Sequence, residues 1–192
     1  MLNFPMKVSQ VLQGDFQLQP LNLLLAFQVN CPGCFVYALP LAARLNDRYG
    51  DRVQILGLST AFEDFHLNTL ENTRRLLATG EVVGMTKLYL QHQGQAAYTL
   101  PIRFPVAFDW FDTIPPDNDS TATTAPLATH ASSAGYTFRT NHLQGTPSWI
   151  LLDESSTILA QWFGHKSESD VELILHQALA ANPVHTVNEQ SV

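Results

Sequence analysis

Cysteine is scarce in this sequence, with two among 192 residues. Charge is scarce as well: Asp, Glu, Lys and Arg make up 14% of the chain, well below the roughly one quarter usual in soluble domains. Cations are the fewest, 10 Lys and Arg against 17 Asp and Glu, for a net charge of -7. So few cations leave no basic surface to neutralise phosphate, which excludes nucleic acid and an anionic membrane as main partners. No apolar run approaches the roughly 20 residues that span a bilayer. The stretch from Met1 to Gln10 lacks the apolar block of an export signal. The expected compartment is therefore the cytoplasm, where thiols stay reduced. What the chain does have is 45% hydrophobic residues, enough to bury the core of one domain.

The two cysteines are Cys31 and Cys34. About one random pair in a hundred would fall at this spacing in a chain of this length. A structural disulfide draws its stabilisation from the loop it closes, and a bridge across two residues closes almost none. A structural zinc site takes about four ligands. Here there is no second Cys pair, and His66, His92, His130, His142, His165, His176 and His185 are scattered. Redox chemistry at the pair is favoured over two inert buried thiols or a metal pair, and no metal or other cofactor is expected.

Hydrophobic periodicity places the pair between two elements. Leu21 to Gln28 is a short, nearly continuous apolar run, the mark of a strand buried on both faces. From Phe35 to Tyr49 the apolar positions Phe35, Leu39, Ala42, Leu45 and Tyr49 recur at three and four, which predicts a helix. Pro40 should kink it, and Gly50 should cap its end. Val53 to Ser59 reads as a second buried strand, completing a βαβ unit with a parallel pair. A helix is expected over Asn68 to Leu77, and residues 80–100 read ambiguously because Gly80, Gly84 and Gly94 interrupt the apolar pattern. Arg103 to Asp109 reads as a strand. Residues 111–135 turn to Pro, Thr, Ser and Asp, the composition of a flexible insertion. Ser148 to Asp153 and Ile158 to Phe163 form a hairpin. Ser169 with Glu172 reads as a capping box for a last helix that Asn182-Pro183 ends. The expected layout is one α/β domain over residues 1–183, a central mixed sheet flanked by helices, with a frayed tail at 184–192.

In this order of elements the sequence resembles the thioredoxin-like superfamily, and in particular its TlpA-type and redoxin groups. Cys31-Pro32-Gly33-Cys34 stands where a strand meets a helix, as that family's active-site CxxC does. Gly145-Thr146-Pro147 stands directly before the hairpin, in the place of the family's cis-proline, and Gly145 to Asp153 and Phe104 to Asp109 are similar to stretches of the TlpA-type group. The sequence departs from the pattern in four places. Asn30 stands where thioredoxin usually has Trp, Pro32-Gly33 reverses the usual dipeptide, Pro40 follows the second cysteine one residue later than usual, and the strand Leu23 to Phe27 carries no buried acid.

The resemblance implies a thioredoxin-like fold and a thiol–disulfide oxidoreductase. Cys31 would be the attacking sulfur at a helix N-terminus, where unpaired N–H groups and the helix dipole favour a thiolate. Cys34 would resolve the mixed disulfide and leave a redox-active Cys31–Cys34 bridge. Thr146 and Pro147 would form the substrate-binding edge, through a cis peptide facing the two sulfurs. The implied partners are protein or small-molecule disulfides and a thiol electron donor. Glu63 and Asp64, just after the second strand, are the acids available as proton acceptors, and His142 and His165 read as surface or packing residues. Two other readings share the fold: a peroxiredoxin-type thiol peroxidase, and a redox-inactive binding module. The peroxidase motif wants Thr or Ser three residues before its cysteine, and Cys31 has Gln28 there. For the insertion, limited digestion with a broad protease should cut first within residues 112–134 and leave the rest as a resistant core. Strong amide protection across that stretch would mean a folded element instead.

Overall fold

The computed structural model describes residues 2–112 and 134–182. Nearly all of the 111–135 insertion, and the whole 184–192 tail with Pro183, lie outside the described residues. In the described residues six strands form one sheet: β1 (Val8–Gln13), β2 (Leu21–Phe27), β3 (Gln54–Ser59), β4 (Val106–Asp109), β5 (Ser148–Asp153) and β6 (Ile158–Phe163), in the spatial order β1-β4-β3-β2-β5-β6. The β2–β3 and β3–β4 pairs are parallel; β1–β4, β2–β5 and β5–β6 are antiparallel. Among the described residues five α-helices accompany the sheet: α1 (Leu39–Tyr49), α2 (Leu70–Thr79), α3 (Gly84–His92), α4 (Tyr136–Thr140) and α5 (Glu168–Ala181). This is the mixed α/β architecture expected from the sequence.

Strand β2 explains why the apolar run reads as a strand. All seven of its residues are buried. Leu21, Leu23, Leu25 and Phe27 join one core with Leu39, Leu45, Trp149 and Val171, while Leu24 and Ala26 join a second core with Leu56, Ile150 and Phe138. Alternate side chains thus fill layers on opposite faces of the sheet. Each fully buried Leu contributes about 1.5–3 kcal/mol, so this strand holds a large share of the apolar stabilisation.

Several expectations shift. Strand β1 was invisible in the periodicity: its positions are half-buried or exposed, and it pairs with β4 through two irregularities in register. Within residues 80–100 the glycines do not prevent a helix, because Gly84 opens α3 with φ +54 and Gly94 lies beyond its end. Strand β4 begins at Val106 rather than Arg103, directly after Pro105, which has no N–H to give to a ladder. Gly50 is the C-cap of α1 as expected, in a right-handed conformation with φ -60, its amide donating to the Asn46 carbonyl. The last helix is capped by Ser167, whose side chain accepts the Asp170 N–H at 3.2 Å, and not by Ser169. Glu172 is therefore released from any capping role and turns to α1, where it pairs with Arg48 and takes the Tyr49 hydroxyl at 3.2 Å.

Both borders of the undescribed segment are tied down around Asp109, which is fully buried. Its carboxylate accepts the Thr60 hydroxyl at 2.8 Å, the Trp110 and Thr137 amides at 2.9 Å, and the Phe138 amide at 3.2 Å. Burial raises its pKa, and the bonds from Thr137, Thr60 and Phe138 oppose that shift. The carboxylate fastens the start of α4 to the end of β4. Asp109→Ala should lower unfolding free energy by roughly 2–4 kcal/mol in urea titration, because it leaves several buried donors unpaired. A loss below about 0.5 kcal/mol would show that the clamp is dispensable.

Candidate active site

The site forms where β2 runs out. After Phe27 the chain continues through Gln28, Val29 and Asn30 to Cys31, and the helical stretch opens at Pro32. Pro32 costs nothing there, since a first-turn residue has no helical acceptor for its N–H. Cys31 is half-buried and Cys34 fully buried. The two are joined as a disulfide with Cα atoms 5.3 Å apart.

The first turn after the pair is wider than an α-turn. Residues Cys34–Ala38 form a π-helical turn, closed by the Leu39 amide donating to the Cys34 carbonyl. Pro40 then falls at the second position of α1, where its missing N–H disturbs least. A π-turn holds one residue more than an α-turn. That extra residue accounts for a proline placed one position later than in the family pattern.

Two contacts act on the Cys31 sulfur in opposite senses. The Cys34 amide points at it from 3.3 Å, a donor that favours an anion on Cys31 in the reduced protein. The Thr146 carbonyl lies 3.5 Å away and favours a protonated thiol, which would donate to it. The Thr146–Pro147 peptide is cis. Pro147 faces the pair across Gly33, where an added Cβ would stand 4.0 Å from the proline Cδ. Cys31, Cys34, Thr146 and Pro147 therefore meet in one place. The proline loop is fastened on both sides: the Ser148 hydroxyl donates to the Gly145 carbonyl at 2.7 Å, and the Gly164 amide donates to the Pro147 carbonyl at 2.8 Å.

Two similar solved structures can be set beside this arrangement. A thiol-disulfide isomerase from Corynebacterium glutamicum matches with a TM-score of 0.65 at 22% identity, over 93% of this chain and 96% of its own. A thioredoxin-like superfamily protein matches at 0.57 and 23% identity, over 97% of this chain and 99% of its own. The fold is thioredoxin-like. No family model and no curated protein matches the sequence.

Within this thioredoxin-like frame the structure also shows residues that the motifs did not single out. Asn30, in the place of the usual Trp, is a junction. Its amide N–H donates to the Asn68 side chain at 2.8 Å, its side-chain nitrogen to the Asp64 carboxylate at 2.8 Å, and its side-chain oxygen accepts the Met85 amide at 2.7 Å. It thereby ties the loop before Cys31 to the start of α3. Gln28 is buried and reaches Thr146 on one side and the Glu63 carbonyl on the other. The only sequence signal for Gln28 was a polar residue closing an apolar strand just before the cysteines. Of the two acids considered as proton acceptors, Glu63 is engaged here through its backbone carbonyl, and Asp64 is engaged by Asn30. His165 packs against Tyr37 with ring centres 4.8 Å apart and the rings tilted by 44°, and His142 is exposed on a turn with φ +51. Among the described residues no three His, Cys, Asp or Glu side chains converge as a metal site requires.

The two glycines flanking this junction should respond differently to a methyl group. At Gly84, with φ +54, an added Cβ runs into the Asn30 side chain, while at Gly33 it meets only an ordinary contact. Gly84→Ala should cost more than about 1 kcal/mol, and Gly33→Ala less than about 0.5 kcal/mol, measured by chemical denaturation of the oxidised protein. Equal losses would show that Asn30 and the start of α3 are not held as described.

Proposed function

We propose that this chain is a thiol–disulfide oxidoreductase that exchanges the Cys31–Cys34 pair with substrate disulfides. The observation that carries the reading is the asymmetry of the pair. The half-buried sulfur stands at the helix start under an amide donor and beside Thr146-Pro147, and its buried neighbour lies one turn inward. In the reduced protein the Cys31 thiolate attacks one sulfur of a substrate disulfide. The substrate S–S bond breaks, a mixed disulfide forms, and the departing thiolate takes a proton from solvent. Cys34 then gives up its proton and attacks the Cys31 sulfur, releasing the second substrate thiol. The protein has lost two electrons and two protons, the substrate has gained them, and a thiol donor restores the dithiol. A run in the opposite direction would oxidise a substrate dithiol with the same atoms.

Two features of the chain support substrates presented as extended polypeptide. The Thr146 amide has no protein acceptor among the described residues, and its carbonyl faces the reactive sulfur. These are free edge groups for a passing strand. The proposal places the protein in the cytoplasm, with a thiol donor to reduce it.

The deciding experiment is reduction of insulin by dithiothreitol, run beside consumption of hydrogen peroxide. The expected result is acceleration of the first with no comparable activity in the second. Cys31→Ser should abolish insulin reduction. Cys34→Ser should attack and then stall, accumulating a mixed disulfide visible by mass spectrometry. Normal turnover by Cys34→Ser, together with alkylation of Cys34 alone in the reduced wild type, would reverse the two roles.

A further inference from the structure

We propose that Gln28 is a positioning residue for polypeptide disulfides: by holding the Thr146 side chain it fixes the backbone edge against which an extended substrate lies. The inference rests on the thiol–disulfide reading above and adds a positioning residue to it.

Gln28 is the first residue after β2 and only 1% exposed. Its side-chain oxygen accepts the Thr146 hydroxyl at 3.0 Å, and its nitrogen donates to the Glu63 carbonyl at 3.3 Å. The two neighbours ask for opposite things, an acceptor on one side and a donor on the other. A neutral amide supplies both; a carboxylate would set an oxygen against the Glu63 carbonyl, and an apolar side chain would supply neither. A buried amide satisfied at both ends is costly to replace and holds its partners in place.

What it holds is the residue of the proline loop that stands next to Cys31. The Gly145 and Pro147 carbonyls are each occupied by protein donors. Between them, Thr146 directs its carbonyl at Cys31 and leaves its amide without a protein acceptor among the described residues. The side chain of Thr146 is then the handle by which the body of the protein sets the orientation of that residue's backbone, and Gln28 is what grips it. A polypeptide laid along this edge feels the orientation through two backbone hydrogen bonds. A small disulfide that reaches only the sulfur does not. Gln28 should therefore weigh on discrimination between the two more than on sulfur chemistry itself.

The test compares rate constants for oxidation of the pre-reduced protein by insulin and by bis(2-hydroxyethyl) disulfide, and reads their ratio. Gln28→Met should lower the insulin-to-small-disulfide ratio about two- to tenfold, the loss of one or two hydrogen bonds in the loaded complex. Thr146→Val should lower it similarly, Thr146→Ser should hold it within about twofold, and the double variant Gln28→Met/Thr146→Val should fall no further than either single one. A ratio unmoved in both single variants, or a double variant losing the product of the two, overturns the inference. If Gln28→Met does not fold, the Thr146→Val and Thr146→Ser pair reads the same bond, and equal ratios in those two overturn it. Wild-type protein oxidised by neither substrate overturns the underlying redox reading and this inference with it. Wild type oxidised by both, with a flat ratio across the variants, overturns this inference alone.

Discussion

The structure depends on the burial of β2 at the centre of the sheet. A strand with seven buried residues cannot move without opening both cores, so the point at which it ends is fixed. Everything chemical is attached to that end. Gln28, Asn30 and Cys31 follow the last strand residue in close succession, and each reaches a different neighbour: the proline loop, the start of α3, and Cys34. The site is precise because its anchor is rigid, and the residues that face solvent inherit that rigidity through short side-chain bonds.

Around this anchor the Cys31 sulfur has both a donor and an acceptor as neighbours. The helix start and the Cys34 amide favour an anion on Cys31, while the Thr146 carbonyl resists it. The buried acid that thioredoxin keeps in this strand is absent, and a neutral amide, Gln28, is buried next to the site. Far from the sulfurs, Arg44 and Arg48 join α1 to Glu168 and Glu172 of α5. Half-exposed pairs of this kind contribute little energy each, and Glu172 also accepts the hydroxyl of the buried Tyr49.

Legibility followed the strength of periodic burial. Strand β2, helix α1, strand β3 and the β5–β6 hairpin could be read because each has to hide a face, and that need dictates residue spacing. Strand β1 could not, since its side chains are half-buried or exposed and it is held by pairing with β4, a constraint on the backbone that leaves little trace in side-chain type. The cap at Ser167 was misplaced because Ser169 and Glu172 fit the same local pattern. The choice between them was made by α1, which takes Glu172 for Arg48 and Tyr49.

By itself the sequence determined the strand–CxxC–helix unit, the Thr-Pro ahead of a hairpin, and hence the fold and the residues that meet at the end of β2. These are local requirements of chain geometry and sulfur chemistry, and a local pattern suffices to record them. Only the tertiary structure decided that Asn30 grips α3, that a π-turn absorbs the late proline, that Asp109 clamps α4 to the sheet, and that Gln28 holds Thr146. The Gln28 and Asn30 contacts and the Asp109 clamp join residues 28 to 118 positions apart in the chain. Their partners are chosen by where packed strands end, which no spacing in one segment of sequence can specify.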